Sequence, residues 1–187
     1  MSDSMVKGNL RPDLIFNKEK VTLLLAVNVE ESAFHDVEKA AKQKRLLKKE
    51  EFHITLIGRE TGETIIEKIK NTSPAKQEDI LSKIQEASGS FNWDYSFQKK
   101  YYFISKKYVE PGQEKEERQS IIQLVTLPYL VPFYKRLNQF LGTNFDIPFP
   151  HITLFTNSTR EDKKLRGIGL YSEKEFHALN PIKIESK

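Results

Sequence analysis

The chain has no cysteine. That excludes a disulfide framework, a thiolate nucleophile and any cysteine-ligated metal. It also has no apolar run near the roughly 20 residues a membrane span needs. The opening MSDSMVKGNLRPDL contains no apolar segment of signal-peptide length. These absences lead to the expectation of a cytoplasmic protein with no membrane partner. Charge of neither sign dominates. Thirty Lys and Arg stand against 26 Asp and Glu, for a net charge of +4 and a pI of about 9.0. A mildly basic balance suits a phosphate-bearing ligand without identifying one. The 187 residues, 38% hydrophobic and 30% charged, suffice for one domain, or for two small lobes sharing a core.

Two tetrapeptides organise what is there. His53-Ile54-Thr55-Leu56 lies within EFHITLIG, and His151-Ile152-Thr153-Leu154 within FPHITLFT. Each sits in a β-branched run of strand length. Side chains alternate in a strand, so each histidine shares a face with the threonine two residues on, and the aliphatic pair takes the other face. The histidines are 98 positions apart (151 − 53 = 98). Sliding the chain by that offset lays Leu23–Val27 onto Ile121–Val125, and the helix-like stretch near 33–44 onto the one near 131–142. An ungapped strand–helix–strand repeat predicts two related lobes, each contributing one histidine strand.

The rest of the pattern is mixed. Residues 1–19 read as a loose tail or an added edge. Val21–Val29 reads as a buried strand, and Phe34, Val37, Ala40, Ala41 and Lys44 follow helical spacing with a solvated lysine face at Lys39, Lys42 and Lys49. Ile65, Ile66 and Ile69 predict a short helix. Ser73-Pro74 then opens a longer one through Ile80, Leu81, Ile84 and Ala87, with Gly89 placed to end it. Phe91, Trp93, Tyr95 and Phe97 alternate with polar residues, predicting a strand that turns at Gln98–Lys100 into a hairpin partner, Tyr101–Tyr108. These aromatics read as core rather than as an RNA-stacking sheet. Pro111–Glu117 is loop-like and marks the boundary between a first lobe at about 20–110 and a second at about 118–187. A strand at Ser120–Leu127, a helix through Leu130–Leu141 closed by Gly142, the strand Phe149–Phe155, a loop at Lys163–Gly169, a short helix at Glu173–Leu179 and an edge strand at Ile182–Ile184 complete the chain. The class is α+β: a single bilobal unit over 1–187, mostly antiparallel sheets around a central cleft with helices outside.

Two imidazoles facing each other across a cleft can serve as general base and general acid near neutral pH. One takes a proton from an attacking water or hydroxyl, and the other gives one to the departing oxygen. The threonine hydroxyls beside them can hold a phosphate's non-bridging oxygens. That combination suits displacement at phosphorus.

Duplicated H-x-T strands of this kind resemble the two-histidine (2H) phosphoesterase superfamily, which includes the RNA 2′,3′-cyclic phosphodiesterases once called 2′-5′ RNA ligases, the 2′-5′ oligoadenylate phosphodiesterases and the A-kinase-anchor central domains. The resemblance covers roughly Val21 to Leu170. It implies a bilobal α+β fold with a central cleft, no metal and no other cofactor, and an RNA or nucleotide phosphodiester as substrate. It assigns His53 and His151 as the acid–base pair, and Thr55 and Thr153 as phosphate ligands. The expected reaction is hydrolysis of a 2′,3′-cyclic phosphate, with cleavage of 2′-5′ oligoadenylate as the alternative, on a monomeric protein.

Other readings stay open at this level. Each histidine can instead be a hydrogen-bonded strand residue at a lobe interface. A metal site would need ligand spacings such as H-E-x-x-H, which are lacking, and only Glu51 shares a histidine face two residues away. A nucleotide-binding module without turnover, and a structural protein docking through the basic helix near 36–49, are the rivals from other classes. His35 and His177 read as exposed. Phe149 and Phe155 fall on the motif face and can stack on a base or simply pack; Phe145 is a third candidate, implied by the resemblance. Arg59 and Arg160, just after the two strands, can reach a phosphate from the rim or lie on the surface.

Overall fold

The computed structural model describes residues 5–6, 10–16, 20–109 and 115–185. Strand β2 (Val21–Ala26) buries Val21, Leu23 and Leu25 and leaves Thr22 and Leu24 half-buried on the opposite face, the alternation of a sheet with one side in the core. It pairs antiparallel with β1 (Asp13–Phe16) at one edge and β4 (His53–Ile57) at the other. Between β2 and β4 the chain forms helix α1 (Glu31–Gln43), which buries Ala33, Phe34, Val37 and Ala41. A two-residue strand, β3 (Leu47–Lys48), follows it. Helices α2 (Arg59–Ile69) and α3 (Pro74–Gly89) come next.

The second sheet is larger. Strands β5 (Ser96–Tyr108), β6 (Glu116–Thr126), β7 (His151–Ser158) and β8 (Ile182–Ile184), with β3, lie in the order β3-β7-β6-β5-β8, all antiparallel. Helix α4 (Leu130–Leu141) connects β6 to β7 and buries Phe133, Tyr134 and Leu137 among others. Gly142, at φ 60°, closes it in the left-handed conformation that glycine adopts without penalty. Helix α5 (Glu173–Ala178) is capped by Ser172, whose side chain accepts from the Glu175 N–H. The fold is α+β. One apolar core draws on both sheets, α1 and α4. A smaller cluster of Ile104, Ile122, Leu124, Ile168, Leu170 and Phe176 lies beside it. Among the described residues no helix is long and apolar enough to cross a membrane.

Several expectations need correction. The aromatic hairpin does not form: β5 runs unbroken through Gln98–Lys100 and pairs with β6, with an irregularity between Phe97 and Tyr101. Gln-Lys-Lys has none of the glycine, asparagine or proline chemistry a tight turn requires. Only Ser96 and Phe97 of the aromatic stretch join the strand. Trp93 is fully buried, donates from Nε1 to the Ser88 carbonyl at 2.8 Å and packs edge-on against Phe133. β5 and β6 belong to one sheet, so the stretch expected to divide the lobes joins two neighbouring strands; its residues 110–114 lie outside the described ones. β3, from the first half of the chain, adds to the second sheet beside β7. Of the 1–19 tail, Asp13–Phe16 forms an edge strand, as one of the two readings had it, and Val6 bridges to Tyr95. Helix α3 ends at Gly89, as expected.

Candidate active site

β4 and β7 repeat one geometry. Ala26 faces His53 across β2–β4, Leu25 faces Ile54, and Leu24 faces Thr55. At the 98-residue offset, Leu124 faces His151 across β6–β7, Gln123 faces Ile152, and Ile122 faces Thr153. The next pairs are Leu23 with Ile57 and Ile121 with Phe155. Each histidine strand therefore carries one extra residue at the same place, Leu56 or Leu154, in a β-bulge. The bulge reverses the alternation beyond the threonine. Leu56 and Ile57 are both buried, and so are Leu154 and Phe155. The two bulged carbonyls find different donors: the Tyr134 hydroxyl reaches Leu56 O at 2.9 Å, and the Lys49 backbone N–H reaches Leu154 O at 3.0 Å.

His53, Thr55, His151 and Thr153, all half-buried, line one cavity of about 680 Å³. The segment 165–171 lines it as well. That segment is pinned by three bonds: Lys49 Nζ donates to Leu165 O at 2.9 Å, Thr156 Oγ1 to Arg166 O at 2.9 Å, and the Phe149 N–H to Leu170 O at 3.2 Å. It closes directly on Thr153. A Cβ at Gly167 would stand 2.9 Å from Thr153 Oγ1, so a side chain there displaces the hydroxyl.

The two imidazoles sit in different surroundings. Burial is the main cause pushing the pKa of each below its ordinary value. For His53 the positive charge of Lys49, and then that of His151, push the same way, with Glu51 opposing them. For His151 the carbonyls of Phe149 and Ile168 oppose the burial effect, as does the Glu175 charge. His151 Nδ1 lies 2.7 Å from Phe149 O, and a carbonyl only accepts, so Nδ1 carries a proton.

The remaining sequence candidates separate. Arg59 lines the cavity at the first turn of α2 and pairs with Glu63 at 2.6 Å. Phe149 lines it too, stacked on Phe176 with centroids 4.5 Å apart. Phe155 does not: the bulge turns it into the core, edge-on to Phe34 at 5.9 Å. Phe145 packs against the core with its backbone fixed by Asn138 (Phe145 N–H to Oδ1, 2.8 Å; Nδ2 to Phe145 O, 3.0 Å), outside the cavity lining. Arg160 pairs in a fork with Asp162 at 2.9 and 3.1 Å and is also absent from that lining. His35 and His177 are exposed.

Sequence reasoning missed Lys49, placed on a solvated lysine face, although Lys49 has the same odd parity as Glu51 and His53. It also missed Arg118 and Tyr171, both lining the cavity. For Arg118 the signal was the alternation Glu116, Arg118, Ser120 running into an apolar strand. Among the described residues no group of three or more His, Asp or Glu side chains is placed to hold a metal ion. Comparison with family models, with curated proteins and with solved structures finds no match to this chain.

Proposed function

We propose that the chain is a phosphodiesterase of the two-histidine type, acting on an RNA or nucleotide phosphodiester, and that its reaction is hydrolysis of a 2′,3′-cyclic phosphate to a monophosphate. The observation that carries this reading is the repeated register: two H-x-T strands, bulged at the same place, turn two imidazoles and two hydroxyls into one cavity. A duplicated ancestry of the two halves accounts for that register.

His53 is the better base. Burial favours the neutral form of both rings, and at His53 the Lys49 charge adds to it; the neutral ring takes a proton from the attacking water as the new P–O bond forms. His151 is the better acid. Its carbonyl neighbours favour the protonated ring, which gives its proton to the ribose oxygen as the old P–O bond breaks. One proton is taken and one is given, and exchange with solvent resets both rings. The hydroxyls of Thr55 and Thr153 donate to the non-bridging oxygens. Acid–base assistance contributes on the order of 10²–10⁴-fold, and positioning and charge supply the rest.

The test is a panel with EDTA present: 2′,3′-cyclic mononucleotides, an RNA ending in a cyclic phosphate, 2′-5′ oligoadenylate and a 3′-5′ linked control. Each is run beside the double variant His53→Ala, His151→Ala. Turnover of a cyclic phosphate that the double variant loses supports the reading. Turnover of 2′-5′ oligoadenylate alone moves the substrate, and binding without turnover of any member makes the chain a nucleotide-binding module.

A further inference from the structure

The two-histidine chemistry leaves Arg118 without a role. Residues 118, 120, 122 and 124 of β6 share a face. Ile122 lies opposite Thr153, Leu124 opposite His151, and Arg118 opposite Ser158. The motif face of this sheet thus continues past Thr153 to Arg118, which also lines the cavity. From the Ile122 row to the Arg118 row is four residues, about 13 Å of strand.

Arg118 is only 5% exposed. A buried guanidinium is costly unless it is paired and its hydrogen bonds are met. Glu116 meets two of them: its carboxylate accepts from Nε and from Nη2, the latter at 2.9 Å. That carboxylate is itself fixed by Ser158 Oγ at 2.8 Å and Lys163 Nζ at 3.3 Å. The Arg118 bond holds the Glu116 carboxyl well down, to about 2, so the clamp stays charged. The Tyr108 ring lies 4.2 Å from the guanidinium carbon. Two cations around one carboxylate leave a local surplus of positive charge. Among the described residues nothing bonds Arg118 Nη1, the remaining edge of the fork. Arg59, on the other sheet's side of the cavity, lies near enough for its charge to act on Arg118. Among the described residues, six cations line the cavity (Lys20, Lys49, Arg59, Lys107, Arg118, Arg166) against three carboxylates (Glu51, Glu60, Glu63). A single diester phosphate carries one negative charge, so the cavity is more positive than the scissile group requires.

We propose that Arg118, oriented by Glu116 and Tyr108, anchors a second phosphate subsite that holds a phosphate elsewhere on the substrate, with Arg59 assisting from across the cavity. The spacing leaves room for a nucleoside between the two subsites. The second phosphate is either a 5′-monophosphate on the same nucleotide or the neighbouring diester of an oligonucleotide. This inference rests on the phosphodiesterase reading for its substrate, while the subsite itself can be tested without turnover.

Calorimetric binding comes first. Wild-type protein is titrated with adenosine 3′,5′-bisphosphate and with adenosine 3′-monophosphate. The bisphosphate binds tighter by about tenfold or more, the scale of one or two charge-assisted hydrogen bonds. Arg118→Lys keeps a charge beside Glu116 but loses the fork, and brings the ratio of the two constants towards one; Arg59→Met lowers it partway. Kinetics then choose the source. The specificity ratio of 5′-phosphoadenosine 2′,3′-cyclic phosphate, and of a dinucleotide ending in a cyclic phosphate, over the plain cyclic mononucleotide shows which phosphate the subsite reads. Equal affinity of wild type for the two ligands, or a ratio unchanged in folded Arg118→Lys, overturns the subsite. Arg118-dependent discrimination in binding with no turnover of any cyclic phosphate keeps the subsite and discards the phosphodiesterase.

Discussion

The histidine strands β4 and β7 share a tetrapeptide, a pairing register and a bulge, yet they end in different surroundings. Beyond β4 the chain enters α2, and His53 faces the charges of Lys49 and Glu51. Beyond β7 it returns as the pinned segment 165–171, which closes on Thr153 and brings carbonyl oxygen to His151. A repeated backbone places two identical groups; what packs around each makes them electrostatically different. On the proposed reading, the Lys49 charge on one side and the Phe149 and Ile168 carbonyls on the other distinguish base from acid.

Removing either imidazole breaks the comparison most severely. His53→Ala and His151→Ala each lower kcat/KM on a cyclic phosphate by roughly 10²–10⁴-fold, and the double variant falls little further, because the two act as one unit. Steady-state kinetics on the three proteins checks this.

The bulges differ in how their carbonyls are held. Leu56 O depends on a side chain, so Tyr134→Phe leaves it unmet and costs about 1–3 kcal/mol in a urea melt. At Leu154 O the donor is the Lys49 backbone N–H, which no side-chain truncation removes and only proline would.

A smaller effect comes from crowding one threonine only. Gly167→Ala presses on Thr153 Oγ1 and raises KM several-fold, an effect of about 1 kcal/mol, with the melt little changed. A loss of kcat at constant KM would contradict a binding role for Thr153.

The finest probe is Lys49→Met, which removes a positive charge from beside His53. The His53 pKa rises, and an NMR titration of the imidazole protons detects it. His151, for which Lys49 is not among the causes of its shift, moves less. Both imidazoles titrate below the ordinary histidine value of about 6.5 in the folded protein. Unfolded chains therefore bind protons first as the pH falls. The stability held by the neutral rings is full above about 6.5 and is lost as the pH drops through the lower folded values.

How far the sequence carried this account depends on which physics set each feature. The α+β class, the buried faces of β2, α1 and α4, and the Gly142 cap follow from local periodicity and were legible. So were the four motif residues, because the period of two holds from His53 to Thr55 and from His151 to Thr153. It fails one residue later. A bulge has no signature in I-T-L-I or I-T-L-F, so Phe155 was placed on the wrong face. The expected hairpin failed because aromatic alternation in Phe91–Phe97 reflects packing around Trp93 rather than strand pairing. Lys49 and Arg118 were overlooked for a common reason: charged residues read as surface until the fold brings distant segments together and shows them lining a cavity.

The central claim, a base at His53 and an acid at His151, is tested most directly by the pH profile of kcat/KM for a 2′,3′-cyclic mononucleotide in the wild type and in each single variant. The wild type gives a bell with both limbs below neutrality. Residual activity in His53→Ala loses the acidic limb, where the base must be unprotonated, and that in His151→Ala loses the alkaline limb, where the acid must hold its proton. Full activity in either variant, or the two limbs lost in the opposite order, would contradict the assignment.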